Sequence, residues 1–393
     1  MAAETTMTVA QGSFDLRLAS GAAGLRAWDA ADEYALHHVA GVQVSGRCLV
    51  VGDRAGAVAI ALAAGGAEPH HNTEVVSLSD SLVAHKALCR NLTANALTDQ
   101  AVQTVSSATQ DLAGHFDLVV VKVPRSLALL EHHLRLVRDV VTTDTVVVGA
   151  GMTRHIHTST IEVFQAILGP TTTTRARKKA RLLLTQVDPA VDPGPSPFPT
   201  TYELDGRLPP QLAGRVVTSH AGVFAQGRLD RGTALLLQHL PPLSGHADVV
   251  DLGCGDGVVG LAVGVADADA QVTFVEESYL ALESARMTWQ TNLAERPARF
   301  LLSDGMAAIA DESADLVVVN PPFHDDKAMG DAVAWDMFTG ARRSLRPGGS
   351  ILVVGNRHLA YHAKLARLFG GCQTVASTPQ FVVLSAVRKS PVR

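Results

Sequence analysis

The stretch VVNPPFHDD, Val318 to Asp326, ends a run of branched apolar residues with one bare asparagine and two prolines. A residue that precedes proline is pushed out of the helical region, so Asn320 and Pro321 are both held extended. Pro321 and Pro322 also have φ fixed near about −65°. The predicted result is a stiff bend at the carboxyl end of a strand, where the Asn320 side-chain oxygen and the Pro321 carbonyl can both act as acceptors. An exocyclic amino group, its lone pair delocalised into a ring or carbonyl, offers two N–H donors to such a pair. Binding both hydrogens would hold the nitrogen against an electrophile and favour the pyramidal geometry of the transition state. No strong general base is needed, because a nitrogen that has just bonded to the electrophile is acidic enough to lose its proton to a carbonyl or water. Phe323 supplies a flat face for a stacked base, or else a core aromatic under the loop. His324 is a secondary candidate that could cap, contact a phosphate or take part in the chemistry.

A second constellation lies upstream. VVDLGCGDGVVG reads as a strand over 248–252, a glycine turn holding Gly253, Cys254, Gly255 and Gly257, and a helix start. Glycines permit positive φ and close backbone approach, and exposed amides at a helix start suit polar or anionic groups. Dinucleotide oxidoreductases use a similar turn, so the glycines alone do not choose a ligand. Asp251, two residues before the first glycine, would repel a pyrophosphate but pair with a cationic amine. S-adenosylmethionine carries such an amine and no phosphate. Glu276 ends the next strand, QVTFVEE, and is placed for ribose hydroxyls. Asp304, in LLSDGM, could accept from an adenine amino group or simply cap a turn. Taken singly, Asp251 could be a turn carboxylate that satisfies local amides, and Glu276 a solvated strand end. Together with the Asn-Pro-Pro bend they favour S-adenosylmethionine.

Such groups act only when a scaffold brings them together. The chain has 393 residues, 47% of them hydrophobic and 18% charged, with 33 glycines, which is the composition of a folded protein rich in α/β turns. At about 100–200 residues per domain it should form two or three domains, and two is the working expectation. Apolar strand-like runs alternate with amphipathic helical stretches, which favours mostly parallel sheets. The clearest interruption is proline-rich, Val187 to Pro210. One order of elements occurs on both sides of it. ADVVDLGCGDGVVGLAV, AQVTFVEESYLALESARMTWQTN and ADLVVVNPPF have counterparts in CLVVGDRAGAVAIAL, TEVVSLSDSLVAHKALCRNLTAN and FDLVVVKVPR. The offset is 201 between Gly56 and Gly257, 197 between Asp80 and Glu277, and 198 between Asp117 and Asp315. Near-constant spacing across three landmarks argues for two copies of one fold. Against Asp251, Gly255, Glu276, Asn320 and Pro321 the first copy sets Val50, Arg54, Ser79, Lys122 and Val123. Its strands survive and its polar positions do not, so it is a degenerate copy without a cofactor site.

Net charge is −5, which argues against coating of nucleic acid through uniform positive charge but not against a local basic face. Arg175, Arg177, Lys178, Lys179 and Arg181 form the best cluster, either a solvated segment or a set of phosphate contacts. Cys48, Cys89, Cys254 and Cys372 are scattered and suggest neither a metal knuckle nor disulfides; no metal site is expected. Residues 1–11 lack a basic start followed by an apolar stretch, and no apolar run approaches the roughly 20 residues needed to span a bilayer. The expectation is a cytoplasmic monomer that does not engage membranes.

DLGCGDG followed by NPPFH resembles the class I S-adenosylmethionine-dependent methyltransferases that modify the guanine N2 amino group in ribosomal RNA. NPPFHDDKAMGDAVAWDMFTGARRSLRPGG, NRHLAYHAKLARLFG and RHIHTSTIEVFQAILGPTTTTRARKKARLL look most like the bacterial large-subunit (23S) members, and the small-subunit (16S) relatives match these stretches less well. The resemblance implies an α/β chain of two tandem Rossmann-like domains. Residues 1–186 would be the degenerate copy that helps to engage RNA, 187–210 a linker and 211–393 the catalytic domain. It also implies that VFAQGRLDRGT closes over the methionine end of the cofactor, making Phe224, Asp230 and Gly232 candidates there. The linker is more proline-rich than the resemblance leads one to expect. Adenine-N6 and protein glutamine methyltransferases use the same kind of bend and remain alternatives. An RNA-binding assembly factor with vestigial chemistry is the alternative from another class.

Overall fold

The computed structural model describes residues 4–19, 25–42, 46–65, 73–108, 112–206, 208–243, 247–322 and 327–390, the side chains of 327–329 excepted. The chain forms two compact units, Met1–Pro197 and Phe198–Arg393.

In the first unit a hairpin, β1 (Thr6–Val9) and β2 (Gly12–Asp15), precedes α1 (Ala30–Val39). Then follow β3 (Arg47–Val51), α2 (Ala57–Ala63), β4 (Glu74–Ser79), α3 (Leu82–Ala94), β5 (Val102–Ser106), β6 (Leu118–Lys122), α4 (Leu127–Arg138), β7 (Val146–Met152), α5 (Thr158–Ile167), β8 (Thr171–Thr173) and β9 (Ala180–Thr185). The second unit has a hairpin of β10 (Thr200–Glu203) and β11 (Val216–Ser219), then α6 (Arg231–Leu237), β12 (Asp248–Leu252), α7 (Val258–Ala266), β13 (Gln271–Glu276), α8 (Tyr279–Leu293) and β14 (Arg299–Leu302). It ends with β15 (Ala314–Val319), α9 (Lys327–Ser344), β16 (Leu345–Asn356), α10 (Tyr361–Phe369), β17 (Gln373–Ser377) and β18 (Phe381–Val387).

Each unit contains one seven-stranded sheet, ordered β5-β4-β3-β6-β7-β9-β8 in the first and β14-β13-β12-β15-β16-β18-β17 in the second. The orders are identical, so the duplication read from spacing is real. Five strands of each sheet run parallel, and the last two pair antiparallel. The central strands are continuous apolar runs because helices cover both faces: Val249, Val250 and Leu252 on β12 and Leu316 to Val319 on β15 are all buried.

The boundary between units divides the segment expected to be a linker, and each flank is built into its own unit. Proline-rich chain lacks amide donors, and here arginines from α4 satisfy its carbonyls. Arg138 donates to the carbonyls of Asp188, Pro189 and Val191 at 2.7–3.1 Å, and Arg135 to those of Pro193 and Gly194 at 3.1 and 2.9 Å. On the other side Thr200–Glu203 is a strand, and Leu204 and Leu208 join the second unit's core.

Candidate functional site

The strand order of the second sheet reverses beside β12, whose neighbours are β13 and β15. Open α/β sheets bind ligands at such a switch point, outside the carboxyl ends of the strands. The glycine loop after β12, Glu276 at the end of β13, Asp304 after β14 and Asn320 after β15 all stand at this edge.

Gly253, Gly255 and Gly257 have φ of +69°, +55° and +78°. Gly257 caps α7, and a Cβ there would lie 2.8 Å from Ala285, whereas one on Gly255 would meet nothing within 4 Å. The loop is therefore packed against α8 at one glycine and open at another. Carboxylates hold its amides: Glu276 Oε2 accepts from Gly255 N–H at 3.0 Å, and its Oε1 from Glu277 and Ser278 N–H at 2.8 and 3.3 Å. Asp251 Oδ2 accepts from Gly260 N–H at 2.8 Å, inside α7. That bond is the local-amide role, so this oxygen is committed to the helix rather than to a ligand. Asp256 accepts from the hydroxyls of Tyr202 and Ser219 at 3.0 and 3.2 Å and ties the β10–β11 hairpin to the loop.

Burial, partly opposed by the Gly260 amide and reinforced by Glu276 and Asp256, pushes the Asp251 carboxyl up to about 8. Burial also raises Asp256, to about 6, and Glu276. No lysine or arginine is among the described partners of these three acids. Removing a carboxylate from water disfavours its charged form, and a cation nearby restores it. The edge thus suits a positively charged ligand and opposes a pyrophosphate. The Cys254 thiol lies buried in the loop and is held well above its usual range by burial and by the neighbouring acids, so it is no nucleophile.

At the bend, Pro321 is buried and Pro322 exposed. Asn320 Nδ2 donates to Thr233 Oγ1 at 3.0 Å, while its Oδ1 is buried with no partner. A buried unpaired acceptor costs about 1–3 kcal/mol. Thr233 in turn approaches Asp230 Oδ2 with its amide at 3.0 Å and its hydroxyl at 3.5 Å, and Asp230 is the N-cap of α6. Gly232 is buried beside it, where an added Cβ would lie 3.2 Å from the Phe381 ring. Phe224 is 45% exposed, and exposed Asp304 makes no capping bond. Phe323 and His324 lie outside the described residues. Thr233 follows directly on Asp230 and Gly232 in RLDRGT, but nothing in its residue type or spacing marks it as a partner of Asn320.

The corresponding edge of the first unit is closed from within. Asp53 accepts from the amides of Ala55 to Ala59 at 2.8–3.4 Å and fills the helix start that would otherwise face a ligand. Lys122, at the position of Asn320, forms ion pairs with Asp29 and Asp32 at 3.2 and 2.5 Å. Around this plug stands a basic rim. Thr153 N–H donates to the Lys179 carbonyl at 2.8 Å, joining the β8–β9 turn to the segment that carries Arg154. Arg175, Arg177, Lys178, Lys179 and Arg154 are exposed, and Lys178 pairs with Glu33 at 2.8 Å. His155 is held below its ordinary value by burial and by the positive charges of Arg154 and Arg125. Arg181, on β9, is half-buried with its Nε unpartnered, and so differs from the exposed members of its run. Arg125 and Arg154 were not singled out from sequence, because each is a lone cation after a strand.

Two sheets of one order, the second ending in a glycine loop and an Asn-Pro-Pro bend at its switch point, define a methyltransferase of the class I fold in tandem duplicate. The Methyltransferase small domain family matches residues 214–385 and the RLMG N-terminal domain family residues 4–189. The ribosomal RNA large subunit methyltransferase G of Streptomyces avermitilis is 49% identical over 93% of this chain and 94% of its own, and that of Pseudomonas aeruginosa 44% identical over 92% and 93%. The solved structure of the T. thermophilus 16S rRNA N2 G1207 methyltransferase in complex with AdoMet and guanosine is 24% identical, with a TM-score of 0.76 over 98% of both chains. The chain belongs to the ribosomal RNA large subunit methyltransferase G family. It is an rRNA methyltransferase.

Proposed function

We propose that this enzyme methylates the exocyclic N2 amino group of a guanine in 23S rRNA. The observation that carries the reading is the buried, unpartnered Oδ1 of Asn320 at the switch point. The names of its relatives supply the large-subunit RNA, and the neighbour solved with guanosine supplies the base. Bound S-adenosylmethionine supplies an electrophilic methyl group on a sulfonium. Gly253, Gly255 and Gly257 would form the loop that holds it, with Asp251 and Glu276 contributing negative potential and Asp304 and Phe224 at the rim. Asn320 Oδ1 and the Pro321 carbonyl accept the two hydrogens of the amino group, and Pro322 stiffens the bend. Phe323, outside the described residues, is the candidate for stacking the base. Methyl transfer would then exchange the S–C bond for an N–C bond while Asn320 and Pro321 hold the nitrogen, which would release one proton to a carbonyl or water. The basic rim of the first unit, with Arg175, Arg177, Lys178 and Lys179, engages the RNA backbone; Arg181 is the weakest member of that set because it is half-buried.

The test is incubation of the purified protein with rRNA lacking its methyl groups and labelled cofactor, followed by mapping of the labelled nucleotide. Label on guanine N2 of 23S rRNA is expected. Label on 16S rRNA, on adenine N6 or on protein glutamine would overturn the substrate. Asn320→Ala should abolish transfer while cofactor affinity stays near wild type; equal loss of both would make the bend structural.

A further inference from the structure

We infer that Asp230 and Thr233 form a hydrogen-bond relay that fixes which way the Asn320 amide faces, making Thr233 a positioning residue for methyl transfer. The inference rests on the reading of Asn320 as the acceptor of the target amine. An asparagine amide has nearly the same shape after a half turn about its last bond, but the turn exchanges an acceptor for two donors. A turned Asn320 would meet the N–H groups of the substrate with N–H groups of its own. The site therefore needs something behind the amide that tells its two ends apart.

Asp230, when ionised, is acceptor-only. The Thr233 hydroxyl lies 3.5 Å from Asp230 Oδ2, and the Thr233 amide 3.0 Å from the same oxygen. With its single proton directed at the carboxylate, Thr233 Oγ1 can offer Asn320 only a lone pair. It must then be met by an N–H, and Nδ2 stands 3.0 Å away. Oδ1 is thereby turned to the far side, where it is the buried acceptor without a partner. The direction of each bond follows from the charge at the end of the chain. The described side-chain hydrogen bonds of Asp230, a candidate for the cofactor's methionine end, both come from Thr233, which in turn meets Asn320.

The experiment uses the full-length protein with rRNA from cells lacking the enzyme, free and in ribosomal subunits. It measures kcat, KM for RNA, the Kd of S-adenosylmethionine and the unfolding midpoint. Thr233→Val keeps the shape and removes the hydroxyl, and it should lower kcat about tenfold to hundredfold with Kd and midpoint near wild type. Thr233→Ser should restore most of the rate. Asp230→Asn keeps a good helix cap but can donate to Thr233, reversing the relay, and should also lower kcat. Wild-type kcat in both Thr233→Val and Asp230→Asn, with Asn320→Ala inactive, overturns the relay and spares the Asn320 reading. An active Asn320→Ala overturns that reading itself. A loss in Thr233→Val matched by equal loss of cofactor binding or stability, and not rescued by serine, makes Thr233 structural and overturns the relay. Should the valine variant fail to fold, the kcat of Asp230→Asn decides.

Discussion

Lys122 Nζ lies 2.5 Å from Asp32 Oδ1 inside the first unit, at the strand end where the second unit has Asn320. Burial opposes the lysine's charge, but Asp32 and Asp29 outweigh it and hold its pKa above the ordinary value. Asp32 is itself raised, to about 6, by burial and by the charges of Asp29 and Asp53 against the pull of Lys122. Removing one partner of a buried pair strands the other charge, at about 3–5 kcal/mol. Lys122→Met should therefore destabilise the first unit by about that amount in denaturant unfolding. Adding Asp32→Asn should recover part of the loss. A Lys122→Met protein as stable as wild type would show that the plug contributes nothing.

The duplication was legible because sheet strands buried on both faces must stay apolar whatever happens at their ends, so β3, β6, β12 and β15 kept their pattern. The glycine loop was legible because positive φ at Gly253, Gly255 and Gly257 asks for glycine. What escaped was long-range pairing of ordinary residues. Thr233 meets Asn320 across 87 positions and Lys122 meets Asp29 across 93. Nothing in the local pattern of either residue requires its partner. The proline-rich stretch holds the boundary between the units, but its hydrogen bonding was hidden for a related reason: prolines mark the absence of local donors, and Arg135 and Arg138 supply donors from another element.

Gly255 and Gly257 should respond differently to the same substitution. Gly257→Ala meets Ala285 at 2.8 Å and a left-handed backbone together, and should lose about 2–4 kcal/mol of stability. Gly255→Ala meets open space, so only the backbone strain of about 1–2 kcal/mol remains. Its larger effect should be on cofactor Kd, because its new methyl group occupies the open side of the loop. Equal stability losses in the two variants, measured by urea unfolding, would contradict this division.

The basic rim should bind RNA through counterion release. Arg154→Glu with Arg177→Glu should weaken RNA binding and reduce the slope of log affinity against log salt by about 0.7–0.9 for each phosphate no longer neutralised. Lys178→Ala should do less, because its charge already faces Glu33 at 2.8 Å. Fluorescence anisotropy with an rRNA fragment across 50–200 mM salt, roughly the range over which phosphate binding weakens, reads both quantities. An unchanged slope in the double charge reversal would remove the rim from RNA recognition.

Asp251 should make cofactor binding and stability depend on pH in opposite senses. In the ligand-free protein its carboxyl holds a proton up to about 8. A cation at the glycine loop favours the ionised form, so binding below that pH releases a proton, and affinity should rise with pH and level off near it. For stability the folded value lies above the unfolded one of about 3.9. The contribution of Asp251 to stability is then complete below about 4 and is lost as pH rises towards about 8. Calorimetry in buffers of different ionisation enthalpy counts the released protons, and thermal unfolding from pH 5 to pH 9, a window that spans the upper titration, reads the second effect. Both dependences should flatten in Asp251→Asn. If that variant keeps the wild-type pH dependence of Kd, the charge that responds to the cofactor belongs to Asp256 or Glu276 instead.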